Sequence, residues 1–152
     1  MRRPPLRRDE RTAAAPLRPH LVFTSGGVAF GFDAVHARHA LRGDGCGSQV
    51  RFLEHWYPVV DLRREFGHAA AAGAGFVLLV ESGARAGLRV DELQGLRRID
   101  PTTLAPLPAV YRGPERRWIA GLASADDALI VVMRIAELLE TLLPVDRVGV
   151  AQ

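Results

Sequence analysis

Phe76-Val77-Leu78-Leu79-Val80-Glu81-Ser82-Gly83-Ala84-Arg85-Ala86-Gly87-Leu88-Arg89-Val90 is the stretch from which the fold is read. Two β-rich runs, Phe76–Val80 and Ala86–Val90, flank a short segment holding Ser82-Gly83, and this pattern predicts a hairpin. Working outward, Leu21–Thr24 and Val28–Phe32 meet across Ser25-Gly26-Gly27, a second hairpin on a glycine turn. Trp118–Leu122 and Leu129–Met133, separated by a turn containing Asp126-Asp127, predict a third. Between them, Trp56–Leu62 reads as a short strand entered through Pro58, with Asp61 placed to cap a turn over Leu62–Phe66 that ends at Gly67. The strand pattern after the central hairpin continues through Leu93 and Leu96 to Ile99. Residues 42–48 and the Ala/Gly-rich Ala69–Gly75 read as loop and connector, and four prolines between Asp100 and Pro114 exclude regular structure over most of that stretch. Only the end is strongly helical: Ile135, Leu138, Leu139, Leu142 and Leu143 form one apolar stripe, stopped by Pro144. Three hairpins, short strands and one terminal helix predict an all-β, barrel-like domain.

The 152 residues, 48% of them hydrophobic, suit a single globular domain that buries a sizeable core without metal or disulfide. Its 20 basic residues are all arginine. Six of them (Arg2, Arg3, Arg7, Arg8, Arg11, Arg18) fall in residues 1–18 against Asp9 and Glu10, a net charge of +4; the remainder carries a net −1. The basic character belongs to a proline-rich arm over residues 1–19, expected to be disordered, and the body lacks the electrostatic footprint of a nucleic-acid binder. Residues 144–152 read as a tail. No apolar run approaches the length of a membrane span, and the lone Cys46 fits a reducing compartment, so the expected location is cytoplasmic.

Signatures of catalysis are absent: there is no nucleophile elbow, no phosphate-binding loop and no zinc-protease helix. His36, His39, Cys46 and His55 are spaced like no paired zinc knuckle, and neither metal nor cofactor is expected. Asp126-Asp127 reads as a turn, and Asp91-Glu92 as a solvating pair at a strand end or part of an interface. Trp56, Tyr57 and Trp118 would be stacking platforms if the protein bound single-stranded nucleic acid, the alternative function; anchoring in a core or interface is favoured because the body is slightly acidic.

Taken in order, these segments resemble a CheW-like domain. The resemblance runs from the opening hairpin through Pro58-Val59-Val60-Asp61-Leu62-Arg63, Gly87-Leu88-Arg89-Val90-Asp91-Glu92-Leu93 and Leu104-Ala105-Pro106-Leu107-Pro108 to Trp118–Ala123 and the final helix, about residues 20–143. It implies two small five-stranded β-barrels sharing a core, with no active site. It further implies an adaptor in bacterial chemotaxis, bridging the signalling tip of chemoreceptors and the regulatory domain of a CheA-type histidine kinase. On that resemblance Val35, Val59 and Val60 are expected as apolar anchors of the contact surface, and Arg51, Leu53 and Glu54 as its altered specificity segment. The family pattern Asn-Leu-Arg-Gly is here Arg51-Phe52-Leu53-Glu54, which loses an arginine and replaces glycine with a larger, charged residue. Ala37 stands where an acid is usual, and Arg134 where the last strand usually ends in aspartate.

Overall fold

The structure, a computed structural model, describes residues 17–65, 75–109, 113–125 and 127–143. Ten strands form two five-stranded sheets. The first, in the order β8-β1-β2-β10-β9, contains β1 (Arg18–Ser25), β2 (Val28–Asp33), β8 (Glu92–Ile99), β9 (Ile119–Ala125) and β10 (Ala128–Met133). The second, in the order β3-β6-β7-β5-β4, contains β3 (Ala37–Arg42), β4 (Gln49–Phe52), β5 (His55–Asp61), β6 (Phe76–Glu81) and β7 (Arg85–Val90). The second sheet is thus inserted in sequence between β2 and β8 of the first. Each sheet contains one parallel pair, β2 with β10 and β5 with β7; the other pairings are antiparallel.

The period of two along the strands divides the apolar residues among three cores. On β6, Leu78 and Val80 face a large cluster shared with Phe23, Phe30 and Phe32 of the other sheet, while Val77 and Leu79 face a private cluster with Tyr57. The same alternation on β1 and β10 sends Phe23 and Met133 to the shared core and Val22, Ile130 and Val132 to a private one with Ile99 and Ala123. Ile99 of β8 and Ala123 of β9 meet inside that private core and bring together the two edges of the first sheet. In the second sheet the stacked rings of His39 on β3 and Phe52 on β4, 4.6 Å apart, do the same. The result is two small barrels joined by a common core. Because β6 is buried on both faces it reads as a continuous apolar run, which is why its segment marks the fold so clearly.

Among the described residues three short α-helices accompany the strands: α1 (Leu62–Glu65), α2 (Glu115–Trp118) and α3 (Ile135–Leu142). The predicted apolar stripe of α3 seals the shared core through Ile135, Leu138 and Leu139, and the chain leaves the helix at the buried Leu143. The three predicted hairpins are present, with Trp118 ending α2 rather than starting β9. Strands β3 and β4 were not predicted: β3 is mostly exposed and polar, and β4 has four residues and no turn signal after it. Residues 1–16 of the expected arm, the tail, the Ala/Gly connector over residues 69–74 and the Gly67 stop lie outside the described residues; Arg18 and Pro19, expected in the arm, instead open β1, paired with Ile99 and Arg98 of β8. Among the described residues no helix is long and apolar enough to cross a membrane.

Candidate functional site

The β4–β5 hairpin projects the expected specificity segment from the second barrel. Phe52 pairs with His55, so Leu53 and Glu54 form a two-residue turn, and both have positive φ, 50° and 67°. That is the geometry of a type I′ turn, normally taken by Asn-Gly or Gly-Gly. The expected glycine position, 54, therefore does have a glycine-like backbone, with glutamate in it. Leu53 is 75% exposed at the tip. Arg51 and Trp56 are cross-strand partners on the outer face, with the guanidinium 5.8 Å from the centre of an indole that is itself 56% exposed. A tryptophan, an arginine and an exposed leucine form the residue mix from which binding hot spots are built.

The valines are placed differently. Val35 is 59% exposed in a 3-10 turn over Ala34–His36 between β2 and β3. Asp33 holds this turn by accepting a hydrogen bond from the Val35 amide at 3.0 Å and from Arg18 Nε at 2.6 Å. Partial burial works to raise the Asp33 pKa, but these bonds and the Arg18 charge outweigh it and keep the carboxyl below its ordinary value. Val59 and Val60 are half-buried: Val59 packs on the private core of the second barrel and Val60 on the shared core. The His39–Phe52 stack draws β3, which begins two residues after Val35, against the hairpin. The structure thus joins Arg51, Leu53 and Glu54 on one hairpin, with Val59 and Val60 half-buried on the strand that follows it.

A second surface was not anticipated. On the first barrel, an apolar groove of about 590 Å³ is lined by Val28 and Phe30 of β2, Leu129 and Val131 of β10, Leu107 and Trp118, with Glu115 as its acidic residue. Leu129 is 60% exposed. The groove continues the sheet face that packs on the shared core, since Phe30, Val131 and Trp118 belong to both. The sequence signal was present as alternation at Val28-x-Phe30 and Leu129-x-Val131, but only the pairing of β2 with β10 puts the two rows side by side.

Between the barrels runs a polar relay. Asp61 caps α1 by accepting from the Arg63 amide at 3.0 Å, as expected, and also binds the Arg63 guanidinium through Nε at 3.1 Å and Nη2 at 3.3 Å. Arg63, only 5% exposed, extends Nη1 to Asp91 Oδ1 at 3.4 Å. Partial burial works to raise the Asp61 pKa, but the hydrogen bonds and charge of Arg63 prevail and lower it; Asp61's hydrogen bond in turn raises that of Arg63. Asp91 is therefore no solvating strand-end residue: its second oxygen accepts from the Gly26 amide at 2.8 Å, in the other barrel. Glu92 beside it is exposed. Arg134 donates to the carbonyls of Arg117 and Ile119 and closes the end of α2.

Tyr57 and Trp118 are buried, which removes them as stacking platforms. Among the described residues no three His, Cys, Asp or Glu side chains gather as a metal site.

Two five-stranded barrels on one core, each with exposed apolar side chains, define a double-barrel domain. The chain belongs to the CheW-like domain family, whose model matches residues 20–143. The scaffolding protein TtCheW from Thermoanaerobacter tengcongensis has a similar fold, with a TM-score of 0.68 at 22% identity over 82% of this chain and 93% of that one. No curated protein matches the chain.

Proposed function

We propose that this protein is a non-catalytic chemotaxis adaptor, coupling the signalling tip of chemoreceptors to the regulatory domain of a CheA-type histidine kinase. The observation that carries this reading is the presence of one exposed apolar surface on each barrel, the hairpin tip at Leu53 and Trp56 and the groove at Val28 and Leu129. An adaptor must hold two partners at once, and two barrels fixed on one core hold two surfaces at a constant separation. Membership in the CheW-like family supports the same partners. At the tip, Leu53 replaces a charge with an apolar knob, so contact there gains from area removed from water and depends little on salt.

Calorimetric titration against the regulatory domain of each CheA-type kinase of the organism, and against receptor tips, tests the reading. Saturable binding of one kinase domain and one tip is the expected result, and failure to bind either class removes it. Leu53→Asp is expected to weaken one partner at least tenfold and Leu129→Asp the other, each a loss of about 1.4 kcal/mol or more.

A further inference from the structure

The groove on the first barrel owes part of its shape to a residue outside it. Val28, at the groove's wall, follows Gly26 by two residues on the turn between β1 and β2. That turn is tied down from a distance of 65 residues: the Gly26 amide donates to Asp91 Oδ2 at 2.8 Å. The backbone of Asp91 repeats the tie, donating to the Thr24 carbonyl at 2.9 Å. Its other oxygen faces Arg63, a guanidinium buried at the second barrel and gripped by both oxygens of Asp61. Ser25 adds no side-chain tie of its own, since its buried hydroxyl has no hydrogen-bond partner among the described residues. One carboxylate, on the segment crossing from β7 to β8, therefore holds the rim of one barrel against a buried cation of the other.

We propose that Asp91 is a positioning residue for the groove: acting through the Gly26 amide, it fixes the β1–β2 turn and with it the Val28 wall, relative to the second barrel. This inference rests on the reading of the groove as a partner surface, but its structural content is tested without a partner. A carboxylate ion-paired to a buried guanidinium is a stiff support, because moving it leaves a desolvated guanidinium with one partner fewer. The turn it holds is made by two glycines, both with positive φ.

The test uses the full chain with Trp56→Phe, which leaves Trp118, a groove residue, as the sole tryptophan. In Asp91→Ala, amide exchange at Gly26 and Val28 is expected to accelerate at least tenfold, with a red shift of Trp118 emission. Asp91→Asn keeps an oxygen for Gly26 but loses the ion pair with Arg63, and is expected to accelerate exchange by less than Asp91→Ala does. Leu79→Ala, in the private core of the second barrel, controls for lost stability and is expected to leave Trp118 emission in place. If the alanine variant does not fold, Asp91→Glu keeps the charge, adds one methylene, and is expected to displace the turn and shift both readouts. Unchanged exchange and emission in Asp91→Ala, or in Asp91→Glu where the alanine variant does not fold, or an equal emission shift in Leu79→Ala, would overturn the proposal. Absence of any groove partner for the unsubstituted protein would remove the adaptor reading and leave these readouts as they are.

Discussion

Two hairpin turns of this molecule have nearly the same backbone and opposite chemistry. Gly26-Gly27 joins β1 to β2 with φ of 62° and 83°, and Leu53-Glu54 joins β4 to β5 with φ of 50° and 67°. The first uses residues for which the left-handed region costs nothing; the second forces two side chains into a conformation that costs roughly 1–2 kcal/mol per residue. The first is fastened to the second barrel through Asp91. Among the described residues the second has no side-chain hydrogen bond or ion pair to Leu53 or Glu54, and it exposes its leucine. One turn is built for the fold. The other keeps a strained, apolar tip that folding alone would discard, which supports the binding role proposed for it.

Exchanging the two turns gives the largest expected effect. Gly26→Leu with Gly27→Glu places both side chains in the left-handed region and is expected to destabilise the protein by about 2–4 kcal/mol, read from urea midpoints. The reverse exchange, Leu53→Asn with Glu54→Gly, supplies the preferred residues of a type I′ turn and is expected to stabilise by about 1 kcal/mol. The same pair of substitutions is expected to weaken binding at the tip at least tenfold. A gain in stability without loss of binding would refute the functional meaning given to the strain.

The same contrast explains what could be read in the sequence. Gly26-Gly27 between two β-rich runs announced its hairpin, and the apolar run Phe76–Val80 announced a strand buried on both faces. Leu53-Glu54 announces nothing, because neither residue favours positive φ; β4 was missed for that reason, and β3 because its exposed Arg38, His39 and Ala40 carry no apolar period. The hairpin's residues were reached only through their resemblance to a family pattern. The groove and the Asp91 relay were beyond reach for a different reason: they depend on β2 lying beside β10 and on a contact spanning 65 residues, which are facts of topology.

Acid separates the two turns by a second route. The Asp61 carboxyl titrates below its ordinary value in the folded protein because Arg63 outweighs the effect of burial. A carboxyl with a depressed folded-state pKa contributes stability above its unfolded pKa, about 3.9, and loses it as pH falls through the folded value. Exchange protection is therefore expected to decline at the β1–β2 turn on acidification below about pH 4, as the relay that supports Asp91 loses its charge. The β4–β5 turn, with no such support, is expected to respond less, and equal responses would show that the relay does not hold the turn.

Within the glycine turn, Gly27→Ala isolates the conformational cost. A Cβ at Gly27 meets nothing within 4 Å, so a loss of about 1 kcal/mol would come from φ alone. The smallest effect is expected one residue before the turn. Ser25 is fully buried and its hydroxyl has no hydrogen-bond partner among the described residues, so burial there carries a desolvation cost that no such bond offsets. Ser25→Ala removes the hydroxyl and leaves the backbone ties at Thr24 and Gly26 to Asp91 in place. Its stability is expected to stay level or rise by up to about 1 kcal/mol, with exchange at Gly26 unchanged. A loss of more than about 1 kcal/mol would mean that the hydroxyl does have a partner, and that the turn is anchored from its own strand as well as from Asp91.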